Sequence, residues 1–460
     1  MRKVLLPIAL VAIALGLVAM PQGKAQVNLL AVGSLTGSSA GSYTDLSGLG
    51  NTLESGVPAN LLGGLGSGLA YASGNTFLAL PDRGPNALVY DTLIDNTVTY
   101  IPRFHTVTMD LKRNPGAGLP FTLTPKLRDT TLLFSLTPLV YGTGEGLAVG
   151  SGVPPQNNLF QHYFSGRSDA FDPDRNSGDG RDARLDPEGI RLSNDGLSVF
   201  ISDEYGPYVY QFRRNGLRLR TFHLPAHLFV TNLKPIGQDE IDGNTSGRTA
   251  NKGMEGLAIT PDGRALVGIM QAALIQDAAE GGDAAKLLRI VTVDIRTGKT
   301  HEFAYLLTTG SGVSEIVALN QHEFLVDERD GKGRGDDSKA KIKQIFKIDL
   351  AHAVDVSKMD GTTAATHAVN KLPFMDIVQV LITNGFTVEQ IPAKLEGLAL
   401  GPDVNSGKQT VHTLWVGNDN DFLQDFDAPG ANPNQFFVFG FTDVDLAGSK
   451  FVPQQFGPHW

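Results

Sequence analysis

One short pattern occurs five times along the chain, and this repetition constrains the fold more than any other feature. Each copy contains an apolar run, a turn rich in Asp, Asn or Gly, and a second apolar run. The clearest copy runs from Asp186 through the turn Asn194-Asp195-Gly196 to Asp203. Two apolar runs around such a turn are typical of a β-hairpin. The other copies begin at Ser67, Met254, Ser314 and Leu395.

Further strand-like segments follow several of these hairpins, including Tyr208–Phe212 and Ile290–Ile295. Four strands per unit, with units recurring at roughly 60–80 residues, are typical of propeller blades. Five units are evident, and we expect the region near residues 100–150, with strands in Phe121–Leu139, to supply an atypical sixth blade. The sequence therefore predicts an all-β, six-bladed β-propeller formed by a single domain.

Five other segments complete this prediction. Val27–Val32 and Phe436–Phe441 are expected to pair and close the ring, which would leave no open sheet edge. Gly150–Arg184 is rich in Gly, Pro, Asp and Asn and is predicted to be a long surface loop. Helical insertions are expected around His352–Met359 and Phe374–Leu381.

The first residues have the pattern of a signal peptide. Arg2 and Lys3 are basic, Val4–Met20 is apolar, and Gly23-Lys24-Ala25 is a small-x-small cleavage site. We predict that residues 1–25 are removed and that 26–460 form the propeller domain. An uncleaved membrane anchor is the alternative, because the apolar run is about long enough for one. The protein is thus expected to be exported, to the periplasm or the extracellular medium.

The composition excludes several kinds of site and of partner. The chain has no cysteine, which excludes disulfides, cysteine-bound zinc and cysteine nucleophiles. Its formal net charge is −10, and signal cleavage would remove three basic residues and no acid. Such a surface would repel nucleic acid and anionic lipid, so we expect neither as a partner, and we expect a monomer. An anionic substrate would need local Arg or Lys side chains, or a bridging cation.

Several motifs resemble the phytase-like family (esterase-like activity of phytase), in content and in order along the chain. The resemblance covers about residues 60–425. It implies hydrolysis of esters or phosphate esters, but it carries over no catalytic residue. The motifs are Pro81-Asp82-Arg83-Gly84-Pro85-Asn86, Asp186-Pro187-Glu188-Gly189-Ile190, Glu255-Gly256-Leu257-Ala258-Ile259-Thr260-Pro261-Asp262-Gly263, Ser314-Glu315-Ile316, Asp327-Glu328-Arg329-Asp330 and Leu395-Glu396-Gly397-Leu398.

Acidic residues recur at equivalent places in the hairpins. A Glu stands at the start of the first strand in three copies and is displaced by one residue at Glu315, while Ser67 takes that place in the first copy. Antiparallel pairing brings the start of the first strand and the end of the second to the same rim. Oxygen ligands in a loose ring suit Ca²⁺. The predicted ligands are Asp82, Glu188, Asp203, Glu255, Asp327, Glu396 and Asp419.

Two other interpretations of these acids stay open. Each Glu could accept hydrogen bonds from the next blade and only stabilise the ring, or the acids could transfer protons without a metal. Arg83, Lys252 and Arg329 lie beside them. These cations could bind an anionic substrate, or they could form salt bridges with the same carboxylates.

The leading functional hypothesis is a calcium-dependent, exported hydrolase that acts on phosphate or carboxylate esters at the channel mouth. A non-catalytic propeller that binds a ligand or partner is one alternative, because a fold does not dictate a function. A sugar-lactone hydrolase with a single divalent ion is the other. The residues alone leave open whether the protein is an enzyme.

Overall fold

The computed structural model describes residues 27–86, 97–142, 152–168, 177–206, 208–234, 237–406 and 409–457. The predicted signal peptide, residues 1–25, lies outside these ranges. Within them, no helix is both long enough and apolar enough to cross a membrane.

Strands are the main regular elements of the described chain. In chain order they are β1 (Asn28–Leu35), β2 (Gly68–Ser73), β3 (Thr76–Leu80), β4 (Arg103–Arg113), β5 (Phe121–Leu132), β6 (Phe134–Ser135), β7 (His162–Tyr163), β8 (Pro187–Leu192), β9 (Ser198–Asp203), β10 (Tyr208–Arg213), β11 (Arg218–His223), β12 (Met254–Ile259), β13 (Ala265–Met270), β14 (Leu287–Asp294), β15 (Thr300–Leu306), β16 (Gly312–Ala318), β17 (Glu323–Arg329), β18 (Lys343–Asp349), β19 (Lys371–Asp376), β20 (Lys394–Ser406), β21 (Gln409–Asp419) and β22 (Asn434–Phe441).

These strands form a β-propeller of five blades, so the predicted number of six is wrong. Blade 1 is β2-β3-β4-β5, blade 2 is β8-β9-β10-β11, blade 3 is β12-β13-β14-β15, and blade 4 is β16-β17-β18-β19. Blade 5 is β20-β21-β22-β1. The inner strands β2, β8, β12, β16 and β20 contact one another in that cyclic order, and β20 returns to β2. Each of the five repeated hairpins supplies the two innermost strands of one blade.

The sixth blade was expected from segments that belong to blade 1. Strand β4 pairs with β3, from Thr76 opposite Thr108 to Ala79 opposite His105. Strand β5 then pairs with β4 along its whole length, ending at Phe121 opposite Arg113. Because β4 and β5 complete a sheet that the hairpin at Ser67 begins, they cannot start a blade of their own.

The recurrent Glu-Gly pair reflects close contact between neighbouring blades. A Cβ atom at Gly189 would lie 2.7 Å from the Cβ of Leu257 in the next blade, and one at Gly256 would lie 2.8 Å from the backbone nitrogen of Ile316. Real Cβ atoms do not approach other atoms so closely, so a side chain would push the inner strands apart. Glycine at this place therefore allows a ring of only five blades to close tightly.

Strand β1 closes the ring as predicted, because it pairs antiparallel with β22, from Asn28 opposite Gly440 to Leu35 opposite Asn434. It is the outermost strand of blade 5, so the two ends of the domain share one sheet.

Helices are few and short in the described ranges. The predicted helix at His352–Met359 is absent, and turns take its place. The other predicted helix begins three residues later than expected, after β19, where the Asp376 side chain accepts a hydrogen bond from the Gln379 amide. The described parts of Gly150–Arg184 are loop except for β7. The helices are α1 (Gly237–Gly243), α2 (Ile275–Glu280), α3 (Gly361–Ala365) and α4 (Ile377–Thr383), with 3₁₀ turns at Ala226–Leu228, Ala284–Lys286 and Asp443–Leu446.

A buried ion pair lies inside the ring and joins four of the five blades. Arg191 Nη2 lies 3.0 Å from Glu315 Oε2. The guanidinium also donates to the carbonyl oxygens of Leu69 in blade 1, at 2.8 Å, and of Ile316 in blade 4, at 3.0 Å. Glu315 Oε1 accepts from the Leu257 amide of blade 3 at 2.9 Å. For Glu315, the interpretation that the acid stabilises the ring thus has direct geometric support.

Candidate functional site

A polar cavity of about 220 Å³ opens at the mouth of the ring where the inner strands begin. Six carboxylates and four cationic side chains line it. Eight of the ten residues predicted from the sequence are among them. The lining residues are Asp82, Arg83, Glu188, Glu204, Asn251, Lys252, Glu255, Gln271, Ser311, Gly312, Ser314, Arg329, Gly331, Lys394, Glu396 and Asp419.

Strand geometry explains why residues so distant in sequence meet here. Glu188, Glu255 and Glu396 occupy the second or third position of β8, β12 and β20. The second strand of each hairpin returns to the same rim, as Asp419 opposite Lys394 illustrates in blade 5. The predicted convergence of strand starts and strand ends at one mouth is therefore observed.

Three acids from blade 2 form the most concentrated group in the site. Asp186, Glu188 and Glu204 each present a carboxylate oxygen within 4.8 Å of the others. Glu188 is only 7% exposed, and no donor contacts its carboxylate in the part of the chain that the structure describes. Burial, and then the nearby Glu255, raise its pKa well above the usual value. Burial and Asp186 raise the pKa of Glu204 to about 8.

A second acidic group, on the blade 5 side, already contains its own cation. Asp82, Asp419 and Asp421 lie within 4.8 Å of one another through one oxygen each. The Lys394 ammonium donates to Asp419 Oδ2 at 3.1 Å and also to Asp421 Oδ1. Backbone amides bind two of the other oxygens, with Gly84 donating to Asp82 Oδ1 at 3.0 Å and Asp421 donating to Asp419 Oδ1 at 2.7 Å. Each of the two groups thus has one cation for three acids, but only in the Asp186–Glu188–Glu204 group does one carboxylate, that of Glu188, have no donor among the described residues.

The other two lining acids each have one side-chain donor. Gln271 Nε2 donates to Glu255 Oε1. Arg329 Nη2 donates to Glu396 Oε1, and its Nε donates to the Ser314 hydroxyl. Burial, and then the charge of Glu204, raise the pKa of Glu255 well above its usual value.

Two predicted metal ligands, Asp203 and Asp327, do not line the cavity. Asp203 Oδ1 accepts from the backbone amides of Asp186, at 3.0 Å, and Tyr205, at 3.1 Å, so it stabilises the turn that carries the blade 2 acids. Asp327 is fully buried, and neither of its oxygens has a hydrogen-bond partner among the described residues. Burial raises the pKa of Asp327 to about 8.

The three predicted substrate-binding cations all line the cavity but differ in their partners. Arg83 donates to Asp186 Oδ2 at 3.2 Å and to Asn251 Oδ1 at 2.8 Å. Arg329 is held by Glu396 and Ser314, as described above. Lys252 is exposed at the cavity edge, and among the described residues its ammonium has no acidic partner.

Asp186, Glu204 and Lys394 were not predicted as site residues, although each had a signal. Asp186 begins the motif Asp186-Pro187-Glu188-Gly189-Ile190, two residues before a predicted ligand. Glu204 directly follows Asp203 at the end of β9, where the chain leaves the sheet and period-two alternation no longer separates neighbouring side chains. Lys394 stands two residues before Glu396 in β20, so the two side chains share a face of the strand.

The donor set at the Asp186–Glu188–Glu204 group fits a hard divalent cation. All three side chains offer oxygen, the ligand type that Ca²⁺ and Mg²⁺ prefer. Glu188 is a buried carboxylate without a donor, and burying a charge in this way is costly unless it is paired. A divalent cation at this group would supply the missing partner.

Comparison with known proteins identifies relatives of the chain. The family model for the phytase-like family, described as esterase-like activity of phytase, matches residues 60–422. An uncharacterized secreted protein of Arthroderma benhamiae is 30% identical over 380 residues, which are 71% of this chain and 70% of the relative.

The solved structures are less similar to this chain than the sequence relative is. A luciferin-regenerating enzyme is 10% identical, with a TM-score of 0.32 over 86% of this chain and 96% of its own. The PQQ-bound aldose sugar dehydrogenase of Streptomyces coelicolor is 12% identical, with a TM-score of 0.31 over 86% of this chain and 83% of its own. Scores this low carry no argument about the chemistry of the cavity.

Proposed function

The chain belongs to the phytase-like family, and from that premise we propose that it is an exported, divalent-cation-dependent hydrolase of phosphate or carboxylate esters. The observation that carries the proposal is the buried Asp186–Glu188–Glu204 group, of which Glu188 and Glu204 line a cavity that also presents cationic side chains. Export is supported by the relative that is named a secreted protein. Hydrolysis is supported by the description of the family.

Asp186, Glu188 and Glu204 are the residues that would hold the cation, and Ca²⁺, which accepts oxygen ligands in flexible geometry, is the ion that we propose. Bound there, a divalent cation supplies Lewis acidity toward an ester oxygen and toward water. The protein contributes orientation. Arg83 holds Asp186 in place through two contacts, from its backbone amide at 2.9 Å and from its guanidinium at 3.2 Å.

Glu255 is our candidate for accepting a proton from the attacking water. Its Oε1 accepts from Gln271 Nε2, which orients the carboxylate, and Glu255 lines the cavity beside Glu188. Burial and the neighbouring acids raise the pKa of Glu255, which makes its ionised carboxylate a stronger base. We expect Glu255→Gln to lower kcat by at least about 100-fold.

Calorimetric titration of Ca²⁺ into chelator-treated protein tests the proposal. We expect heat of binding in the unchanged protein and its loss in Glu188→Gln, since that substitution removes one charged ligand and keeps the shape. Glu389→Gln is the matched control, because Glu389 is an exposed surface acid paired with Lys339. It should bind like the unchanged protein.

Hydrolysis of p-nitrophenyl acetate and p-nitrophenyl phosphate, measured with Ca²⁺ and with chelator, provides the second test. Turnover of either ester that requires Ca²⁺ supports the proposal. If the unchanged protein binds no divalent cation and cleaves neither ester, the proposal is wrong, and a non-catalytic ligand-binding propeller becomes the better hypothesis.

A further inference from the structure

The cations of the cavity differ in whether they remain available to a ligand. Arg329 already donates to Glu396 and Ser314, and Lys394 already forms ion pairs with Asp419 and Asp421. Arg329 lies in a buried ion pair and Lys394 in a partly buried one, and withdrawing either cation would leave its acids uncompensated.

Arg83 also has partners within the protein. Its guanidinium contacts Asp186 at 3.2 Å and Asn251 at 2.8 Å, and the Asp186 side chain is fully buried. A substrate that drew Arg83 away would therefore uncover a buried carboxylate. Lys252 is different, because it is exposed at the cavity edge and has no acidic partner among the described residues.

Charge and size of the cavity limit the ligand further. Counted at their formal charges, six carboxylates and four cations give the lining a charge of −2, which a single bound divalent cation would bring only to neutrality. Enzymes that transfer phosphoryl groups surround the phosphate oxygens with several Arg, Lys or metal charges. The volume of about 220 Å³ is also below the range of roughly 300–1,000 Å³ that drug-sized ligands occupy.

We propose that Lys252 is the anion-binding residue of this site and that the substrate is a compact carboxylic ester carrying one carboxylate, rather than a phosphate ester. The inference rests on the proposed hydrolase function. In the reaction, the water oxygen bonds to the acyl carbon, the acyl carbon–oxygen bond breaks, and a proton from the water passes to the departing alcohol. The products are one carboxylic acid and one alcohol, with the substrate's own carboxylate still on Lys252.

Three chromogenic esters test this inference in the Ca²⁺-loaded protein. They are p-nitrophenyl acetate, which is neutral, mono-p-nitrophenyl succinate, which has one carboxylate, and p-nitrophenyl phosphate. We expect kcat/KM for the succinate ester to exceed that for the phosphate by at least about tenfold. We also expect Lys252→Ala to lower the preference for the succinate ester over acetate by about tenfold, through KM, since a charge-assisted hydrogen bond is lost.

Lys252→Arg should restore most of that preference, because it keeps the charge. Lys358→Ala is the matched control, since Lys358 is an exposed lysine in a turn away from the cavity, and it should leave the preference unchanged. Preferred hydrolysis of the phosphate, or an unaltered preference in Lys252→Ala, would overturn the inference and leave the hydrolase function standing. Absence of turnover for all three esters would instead contradict the hydrolase function, and the inference with it.

Discussion

The two mouths of the ring are formed by opposite ends of the same inner strands, yet one is charged and the other is apolar. Where the strands begin, Glu188, Glu255 and Glu396 line the cavity. Where they end, the lining includes Leu192, Val317 and other apolar residues. The inner strands can therefore carry charged residues at one end, because the apolar packing that stabilises the ring does not depend on that end.

The C-terminal segment, residues 451–457, covers the apolar mouth and contacts all five blades, with Phe451 contacting blade 5. The Val452 amide donates to the Leu319 carbonyl of blade 4 at 2.8 Å, and Gln454 Nε2 donates to the Leu192 carbonyl of blade 2 at 2.8 Å. The Gln455 amide reaches Pro261 in blade 3 at 3.5 Å, and the ring of Phe456 lies 6.1 Å from that of Tyr71 in blade 1. Together with the Arg191–Glu315 pair, this segment ties the blades together without using the cavity.

The largest effect that we predict follows from removing the cation of that buried pair. Arg191→Met would leave Glu315 charged and uncompensated inside the ring, at a cost of about 3–5 kcal/mol in the free energy of unfolding. Urea unfolding should be compared at pH 7 and pH 9, because burial raises the pKa of Glu315 to about 7 while Arg191 is present, and losing that cation raises the pKa further, so the loss of stability should be larger at pH 9. Arg264→Met, at an exposed turn, is the control and should change little.

A double variant shows whether the uncompensated charge of Glu315 causes the loss of stability in Arg191→Met. Arg191→Met combined with Glu315→Gln removes both charges, and we expect it to regain most of the lost stability. If the double variant is no more stable than Arg191→Met alone, the loss comes from the hydrogen bonds of Arg191 to the strand carbonyls rather than from the uncovered acid.

The second prediction concerns pH at the charged side of the ring. The pKa of Asp327 is raised from 3.8 to about 8, so the folded protein holds this proton more tightly than the unfolded chain does. The stability that the protonated acid contributes is complete below pH 4 and is lost as pH rises through 8, by at most about 1.4 kcal/mol per pH unit. In chelator, unfolding free energies between pH 5 and 8 should therefore fall more steeply in the unchanged protein than in Asp327→Asn.

Asp349→Asn is the control for that comparison, because Asp349 is an exposed acid on a neighbouring strand. It should keep the pH slope of the unchanged protein. An Asp327→Asn protein with the same slope would show that Asp327 is ionised throughout this range.

The sequence predicted the parts of the molecule that depend on local pattern. Each repeated hairpin became the two inner strands of a blade, and Glu188, Glu255 and Glu396 reached one mouth, because turn type and strand alternation set both outcomes. Membership in the phytase-like family was predicted from the same motifs and is confirmed. The metal and substrate roles of these residues stay predictions.

The error in the number of blades concerns pairing between distant segments. Whether Phe121–Leu132 ends blade 1 or starts another blade depends on its pairing with β4, which no turn motif specifies. The ion pair of Arg329 with Glu396 depends on the packing of blade 4 against blade 5. Lys394 and Asp419 instead lie opposite each other within one hairpin, so the strand register alone accounts for their contact. The covering of the apolar mouth by residues 451–457 has no periodic signal at all, because that segment contains neither helix nor strand.

The third prediction tests whether the apolar mouth supports stability without affecting the cavity. The ring of Phe451 lies 5.1 Å from that of His412 and 6.4 Å from that of Phe441, and Phe451 is partly buried. Phe451→Ala should therefore cost about 2 kcal/mol in unfolding free energy. Ca²⁺ binding, followed by calorimetry, should keep the affinity of the unchanged protein. The neighbouring Val452→Ala is the control, since Val452 is 40% exposed. A loss of Ca²⁺ affinity in Phe451→Ala would show that the two mouths are coupled.

The smallest predicted effect isolates one side chain of the C-terminal segment. Gln454 Nε2 donates to the Leu192 carbonyl at 2.8 Å and to Asn194 Oδ1 at 2.7 Å, both in blade 2. Gln454→Ala removes both hydrogen bonds at a partly buried position and should cost about 1 kcal/mol in unfolding free energy. Gln455→Ala is a closely matched control, because Gln455 is exposed and contacts blade 3 through its backbone amide. If both substitutions cost the same, the segment is held by its backbone and aromatic contacts, and the side-chain amide of Gln454 adds nothing to the covering of the apolar mouth.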